Sequence, residues 1–253
     1  MNLPRETWLL FRRKLLETLR QPVWVVMGLT TPLLYLALFA PLLKPLAGGP
    51  GFAGGHVLDV FVPGVLVLMA FGSGSGAGWV VISELKSGVT ERLRVTPDSR
   101  LALLLGTIAR DVVMLLVPAL VVIAVAVPFG FHPHWAGIGV LLLLLSLVTA
   151  STSAISSALG LRLRDIGALA AVVTGVTLPL TLLSGILLPL SLAPRWMRVL
   201  AHVNPLYYAV EAARPLAAGT ISTGTVGLGF LVLALLTAVV LWWATQTYRR
   251  AVA

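Results

Sequence analysis

Hydrophobic residues run in long blocks along this chain, separated by short polar or charged intervals. Six blocks read as membrane-spanning helices, at residues 23–43, 60–83, 101–127, 136–161, 166–188 and 226–247. Each has about the 20 apolar residues that a hydrocarbon core requires. Two stretches differ. At about 100° per residue, residues 4–21 place Trp8, Leu9, Phe11, Leu15, Leu16 and Leu19 on one face. Arg13, Lys14, Glu17 and Arg20 fall on the other, with Leu10 and Arg12 out of place. Pro4 suits a first helical turn, and a basic amphipathic helix of this kind lies in the membrane interface. Residues 84–100, ELKSGVTERLRVTPDSR, form a charged island between the second and third blocks. Each of its charges costs about 2.5–3.5 kcal/mol in hydrocarbon, so the island lies in water. It reads either as a short helix that touches a soluble partner or as a solvated loop.

Composition fits this pattern. The 253 residues are 58% hydrophobic and 11% charged, with a mean hydropathy of +0.99, whereas soluble chains carry about 25% charged residues. The expected architecture is an all-α polytopic membrane protein, residues 1–253 forming one transmembrane domain. The absence of cysteine excludes disulfides, thiolate metal sites and a Cys nucleophile. The net charge of +9 sits at the ends of the apolar blocks, as membrane topology requires, and does not point to nucleic acid. Six spans put both termini on one side. Of the 18 Lys and Arg residues, only Lys44, Arg195, Arg198 and Arg214 fall on the other, so the termini and the island are expected to face the cytoplasm.

Several features inside the blocks bear on function. Gly72-Ser73-Gly74-Ser75-Gly76-Ala77-Gly78 contains two overlapping GxxxG pairs, Gly72/Gly76 and Gly74/Gly78, which suit close helix packing; a broken helix lining a site is the alternative. Arg110 and Asp111 lie inside the third block. As neighbours they point about 100° apart on a helix, which calls for a separate partner for each or for the interface. Ser146, Thr149, Ser153, Ser156 and Gly160 form a narrow stripe on the fourth block, and Thr174, Thr177, Thr181 and Ser184 a similar one on the fifth. Each stripe reads as a helix–helix seam or as part of a path for an amphipathic molecule. Neither contains an acid, base or histidine, which weighs against an ion-coupled carrier. His56, His132, His134 and His202 fall in loops without clustered carboxylates, so no metal site is expected. No GxxxxGK[ST] motif is present, so any ATP and Mg would be bound by another polypeptide, and no cofactor is expected in this chain.

The island, read in this setting, resembles the signature of ABC-2-type transporter permeases, closest to the daunorubicin-resistance type of drug exporter. Glu84, Gly88, Glu91, Arg92, Leu93, Thr96, Pro97, Ser99 and Arg100 match, while Val89 stands where the family often has Thr. A second block, LPLSLAPRWMRVLAHVNPLYYAVEAAR from Leu188 to Arg214, is similar to the family at Pro189, Pro194, Trp196, Asn204, Pro205, Tyr208, Glu211 and Arg214. The resemblance implies a bacterial cell-membrane permease subunit. It would assemble with a second permease chain as a homodimer, or with a close homologue, and with two copies of an ATP-binding subunit. Residues 84–100 would then be the cytoplasmic coupling segment, with Glu84, Gly88, Glu91, Arg92, Leu93 and Pro97 engaging the ATPase. Residues 189–223 would re-enter from outside as short helices. There Trp196, Asn204, Pro205, Tyr208, Glu211 and Arg214 would form an outer gate, with Tyr207 at the same interfacial depth. The cargo implied is a small amphipathic drug or lipid-like compound moving outward. A polysaccharide or lipid-glycan exporter, and less readily a secondary carrier, are the alternative functions.

Overall fold

The structure is a computed structural model that describes residues 3–20, 22–43, 45, 57–87, 100–186, 190 and 193–251. These residues are helical apart from short turns, and no strand occurs among them. Helix α1 covers Leu3–Leu19 and α2 covers Pro22–Leu43. Helices α3, Val57–Ser75, and α4, Ala77–Lys86, follow one another across Gly76. Then come α5, Arg100–Ala126, α6, Trp135–Leu163, and α7, Ile166–Leu182. Two shorter helices, α8 at Arg195–Ala201 and α9 at Pro205–Ala217, precede the last, α10 at Gly224–Ala251.

Among the described residues, four helical stretches are long and apolar enough to cross a membrane: Val57–Lys86, Leu101–Phe129, Trp135–Leu163 and Gly224–Arg250. The α2 core Gly28–Phe39 and α7 are apolar but shorter. The fifth block ends at Leu182 instead of residue 188. Leu183 turns its N–H onto the Pro179 carbonyl at 3.0 Å, and Gly185 takes φ 73°, the left-handed conformation that terminates helices. With 17 residues, α7 is about 26 Å long.

Helix α6 is the hub and touches α3, α4, α5, α7, α9 and α10. Its N-terminal half buries Leu141, Leu144, Leu145 and Val148 against Val62, Leu66, Ala70 and Leu115, while α9 adds Ala209, Ala213 and Leu216 to the same core. A second core joins Val81, Leu104, Ile108, Ala154, Ala158, Ala244 and Tyr248, near the ends of α4, α6 and α10 and the start of α5. Helix α1 lies along α5, with the Leu10 backbone and side chain against Gly106. Leu3, Trp8, Leu9, Leu16 and Leu19 of α1 are exposed, forming an outward apolar face suited to lipid.

Candidate functional site

Leu10, out of place on the helical wheel, lies four residues before Lys14, so the two share a face of α1. That face packs on α5, and the sequence assignment of Lys14 to the water-facing side is corrected here: it is 7% exposed. Its ammonium reaches three acceptors, Glu84 Oε1 at 2.9 Å, Glu84 Oε2 at 3.1 Å and Thr107 Oγ1 at 2.8 Å. An ammonium has three N–H donors, so the burial leaves none without a partner. Gly106 permits this approach, because the α1 backbone at Phe11 passes 3.3 Å from where a Cβ would stand.

Thr107, Arg110 and Asp111 are three and four residues apart and occupy one side of α5. Arg110 and Asp111 are buried and pair with each other, Arg110 Nε donating to Asp111 Oδ1 at 2.9 Å and Nη2 to the same oxygen. This overturns the expectation of separate partners. The directions of the Cα–Cβ bonds differ, but the long flexible stem of Arg110 brings the guanidinium round to the carboxylate. The second carboxylate oxygen accepts from Ser153 Oγ of α6 at 2.6 Å, and the Asp111 backbone carbonyl accepts from Ser73 Oγ of α3 at 3.1 Å. Two sets of polar contacts therefore meet on α5, one tying it to α1 and α4 through Lys14 and the other, a helical turn further along, tying it to α3 and α6 through Asp111. Removing one member of such a buried pair costs far more than the pair itself contributes, because it strands a charge.

Glu84, the first residue of the island, is half-buried at the end of α4 and held in this chain. The other coupling candidates, Gly88, Glu91, Arg92, Leu93 and Pro97, lie outside the described residues.

The stripe on α6 faces α3 and α4. Thr149 Oγ1 donates to the Ala70 carbonyl at 3.0 Å. At Gly76 the helical ladder is interrupted, and the Trp79 N–H bonds the Gly76 carbonyl at 3.2 Å. This shift leaves the Ser75 carbonyl to the Ser156 hydroxyl at 2.5 Å, while the Ser156 oxygen accepts the Gly78 N–H at 2.9 Å. One serine thus re-satisfies both sides of a helix break, which the interior of a membrane protein demands. Gly78 and Gly160 meet where α4 crosses α6, and a Cβ on Gly160 would stand 2.7 Å from the Gly78 carbonyl oxygen. Gly74 belongs to the same contact, whereas a Cβ on Gly72 would meet nothing within 4 Å, so only the Gly74/Gly78 pair packs on another helix. Ser146 is apart from this seam and bonds the Leu142 carbonyl of its own helix at 2.7 Å.

On α7, Thr174 is exposed, and Thr177 and Thr181 are half-buried and donate within their own helix, to Val173 and Thr177. Ser184 is buried just beyond it.

At the opposite end, α9 clamps the end of α7. Pro205 sits at the first turn of α9 and Asn204 caps it, accepting the Leu206 N–H at 3.0 Å. The Asn204 amide also donates to the Leu180 carbonyl at 2.6 Å. Arg214 pairs with Glu211 at 2.9 Å and donates to the Gly185 carbonyl at 2.8 Å. Burial lowers the Arg214 pKa, and the Glu211 carboxylate opposes that shift. Tyr208 donates to the His202 carbonyl at 2.9 Å, while Trp196 projects from α8, 63% exposed. Asn204, Glu211 and Arg214 are thus brought together, and Trp196 is not among them. Among the described residues, no group of acidic or histidine side chains could hold a metal ion.

The sequence reading missed Lys14, Thr107, Ser73 and the Arg110–Asp111 pairing. The Leu10 misfit was the signal available for the first, since it marks a second inward face on α1.

Comparison with known proteins gives this arrangement its family. Residues 5–217 match the family described as ABC-2 type transporter. A protein of Cyanophora paradoxa named as a candidate transport permease, ycf38, is 28% identical over 212 residues, covering 83% of this chain and 73% of that protein. The daunorubicin resistance ABC transporter permease protein DrrB1 of Streptomyces coeruleorubidus is 28% identical over 232 residues, covering 90% of this chain and 80% of the relative. The chain belongs to the ABC-2 type transporter family and is a membrane subunit of an ABC transporter.

Proposed function

We propose that this subunit exports an amphipathic drug or lipid-like compound, driven by a separate ATPase that engages residues 84–100. The observation that carries the reading is the Lys14–Glu84–Thr107 contact, which ties the base of that segment to α1 and α5. When ATP closes the partner subunits, the segment moves, and Glu84 takes the interfacial helix and α5 with it. Asp111 and Ser153 then pass the displacement to α6, which touches most of the other helices. ATP and Mg remain on the partner, and Gly88, Glu91, Arg92, Leu93 and Pro97 supply the contact surface.

In this reading α2 and α7 complete six spans, α8 and α9 re-enter from the outer side, and both termini lie in the bacterial cytoplasm. The exposed face of α7, with Thr174, Thr177 and Thr181, turns toward a second permease chain, and the cargo moves between the two. The Asn204, Glu211 and Arg214 clamp closes the outer end. Cargo of the drug type is favoured by the absence of acids, bases and histidines from the stripes on α6 and α7, and by the named resistance function of the Streptomyces relative.

The test is ATP-dependent movement of daunorubicin into inverted vesicles holding this chain and its ATPase. Wild type is compared with Glu84→Gln and Lys14→Met. Uptake that needs ATP and falls at least about tenfold in either variant, at equal membrane level, supports the reading. Uptake unchanged in both variants defeats the transmission role, and no uptake of any amphipathic probe defeats the cargo assignment.

A further inference from the structure

The end of α6 and the last turns of α10 border an open concavity of about 260 Å³ lined by Leu161, Thr247 and the exposed residues Arg162, Arg164 and Arg250. Three arginines share this small concavity, and among the described residues no carboxylate lines it. The adjacent carboxylate, Asp165, is committed elsewhere, capping α7 by accepting the Ala168 N–H at 2.7 Å. The Thr247 hydroxyl donates to the Trp243 carbonyl at 3.0 Å, so the donors facing the cavity are arginine N–H groups.

Two of the arginines are also held. The Arg162 guanidinium stands over the Trp243 ring at 5.1 Å, a cation–π contact that fixes its position. Arg164 occupies the left-handed residue that ends α6, at φ 54°, with its N–H on the Gly160 carbonyl at 3.0 Å. Glycine or asparagine is the usual occupant there, because a larger side chain crowds the backbone in that conformation. Three like charges bordering one hollow, one of them at a backbone conformation that disfavours it, make the hollow attractive to an anion.

The surroundings identify its source. Leu228, Leu231, Leu235, Val239 and Trp242 are exposed at spacings of three and four, a continuous apolar face of α10 that ends beside the cavity. Trp242 and Trp243 mark headgroup depth, where indole rings concentrate. We propose that this cavity binds the phosphate of an anionic phospholipid whose acyl chains lie along the exposed face of α10. Bidentate guanidinium–phosphate contacts suit a phosphodiester, and a basic pocket between helices at this depth accepts lipid headgroups.

The test uses the purified full-length chain in detergent and a fluorescent phosphatidylglycerol, with unlabelled phosphatidylglycerol, phosphatidylcholine and inorganic phosphate as competitors. Saturable binding displaced by phosphatidylglycerol alone is the expected result. The variant Arg162→Gln/Arg250→Gln should lose about tenfold or more in affinity, while Arg195→Gln/Arg198→Gln, exposed on α8, should stay within about twofold. Equal displacement by phosphatidylcholine, or equal losses in the two variants, overturns the site. Displacement by inorganic phosphate as effectively as by phosphatidylglycerol overturns the lipid assignment in favour of a free anion. If the double variant does not fold, wild-type competition decides alone, and a failure to prefer phosphatidylglycerol rejects the proposal.

Discussion

Two stripes of small polar residues, on α6 and α7, have the same helical spacing and opposite surroundings. Thr149, Ser153, Ser156 and Gly160 are buried, and each meets a group on another helix: Ala70, Asp111, Ser75 and Gly78. Thr174, Thr177 and Thr181 are exposed or half-buried, and the last two return their hydroxyl hydrogens to their own backbone. The difference lies in what faces each stripe. Glycines and an interrupted ladder on α3 and α4 offer α6 both close approach and free carbonyls, whereas among the described residues α7 packs chiefly on α6 and α4 and meets α9 at its end. A polar stripe becomes a seam when its neighbour supplies unmet backbone groups.

Substitutions can break this comparison. The largest effect is expected from Asp111→Ala, which leaves the Arg110 guanidinium and the Ser153 hydroxyl without their acceptor. A loss of about 3–5 kcal/mol in denaturation of the detergent-solubilised chain would match a stranded buried charge. Gly160→Leu should cost about 1–3 kcal/mol, because its side chain enters the Gly78 backbone. Its control is Gly175→Leu on α7, where a Cβ meets nothing within 4 Å, so the isolated chain should unfold as wild type does. Should Gly175→Leu impair transport while leaving that stability intact, α7 faces something outside this chain. Ser156→Ala removes the bridge across the Gly76 break and should cost about 1–3 kcal/mol, most visible as faster amide exchange at Gly78. Thr174→Val, at an exposed site, should move stability by no more than about 0.5 kcal/mol in the same assay.

Much of the architecture was legible in the chain. Hydropathy located the four long spans, because uninterrupted apolar runs have few other uses. The chemistry beneath the island was not. A helical wheel with one apolar face conceals a second inward face made of Leu10 and a lysine, and Lys14 is buried only because Glu84 and Thr107 arrive from distant parts of the chain. The spacing of Arg110 and Asp111 describes where the side chains begin, not where a long guanidinium stem ends. The GxxxG pairs were equivalent in sequence, yet only Gly74/Gly78 faces α6. Asn204, Glu211 and Arg214 were legible as members of the second family-like block. Their geometry was not, since Asn204 bonds the Leu180 carbonyl in the last turn of α7 and Arg214 the Gly185 carbonyl just beyond it.

The central claim is that power enters through residues 84–100. Its most direct test is ATP turnover of this chain assembled with its ATPase in proteoliposomes, comparing wild type with a variant whose residues 88–94 are a Gly/Ser linker. The account expects the variant to insert and to melt as wild type does, but to lose ATPase binding or cargo-stimulated turnover. A variant that binds the ATPase and turns over with cargo as wild type does would contradict it.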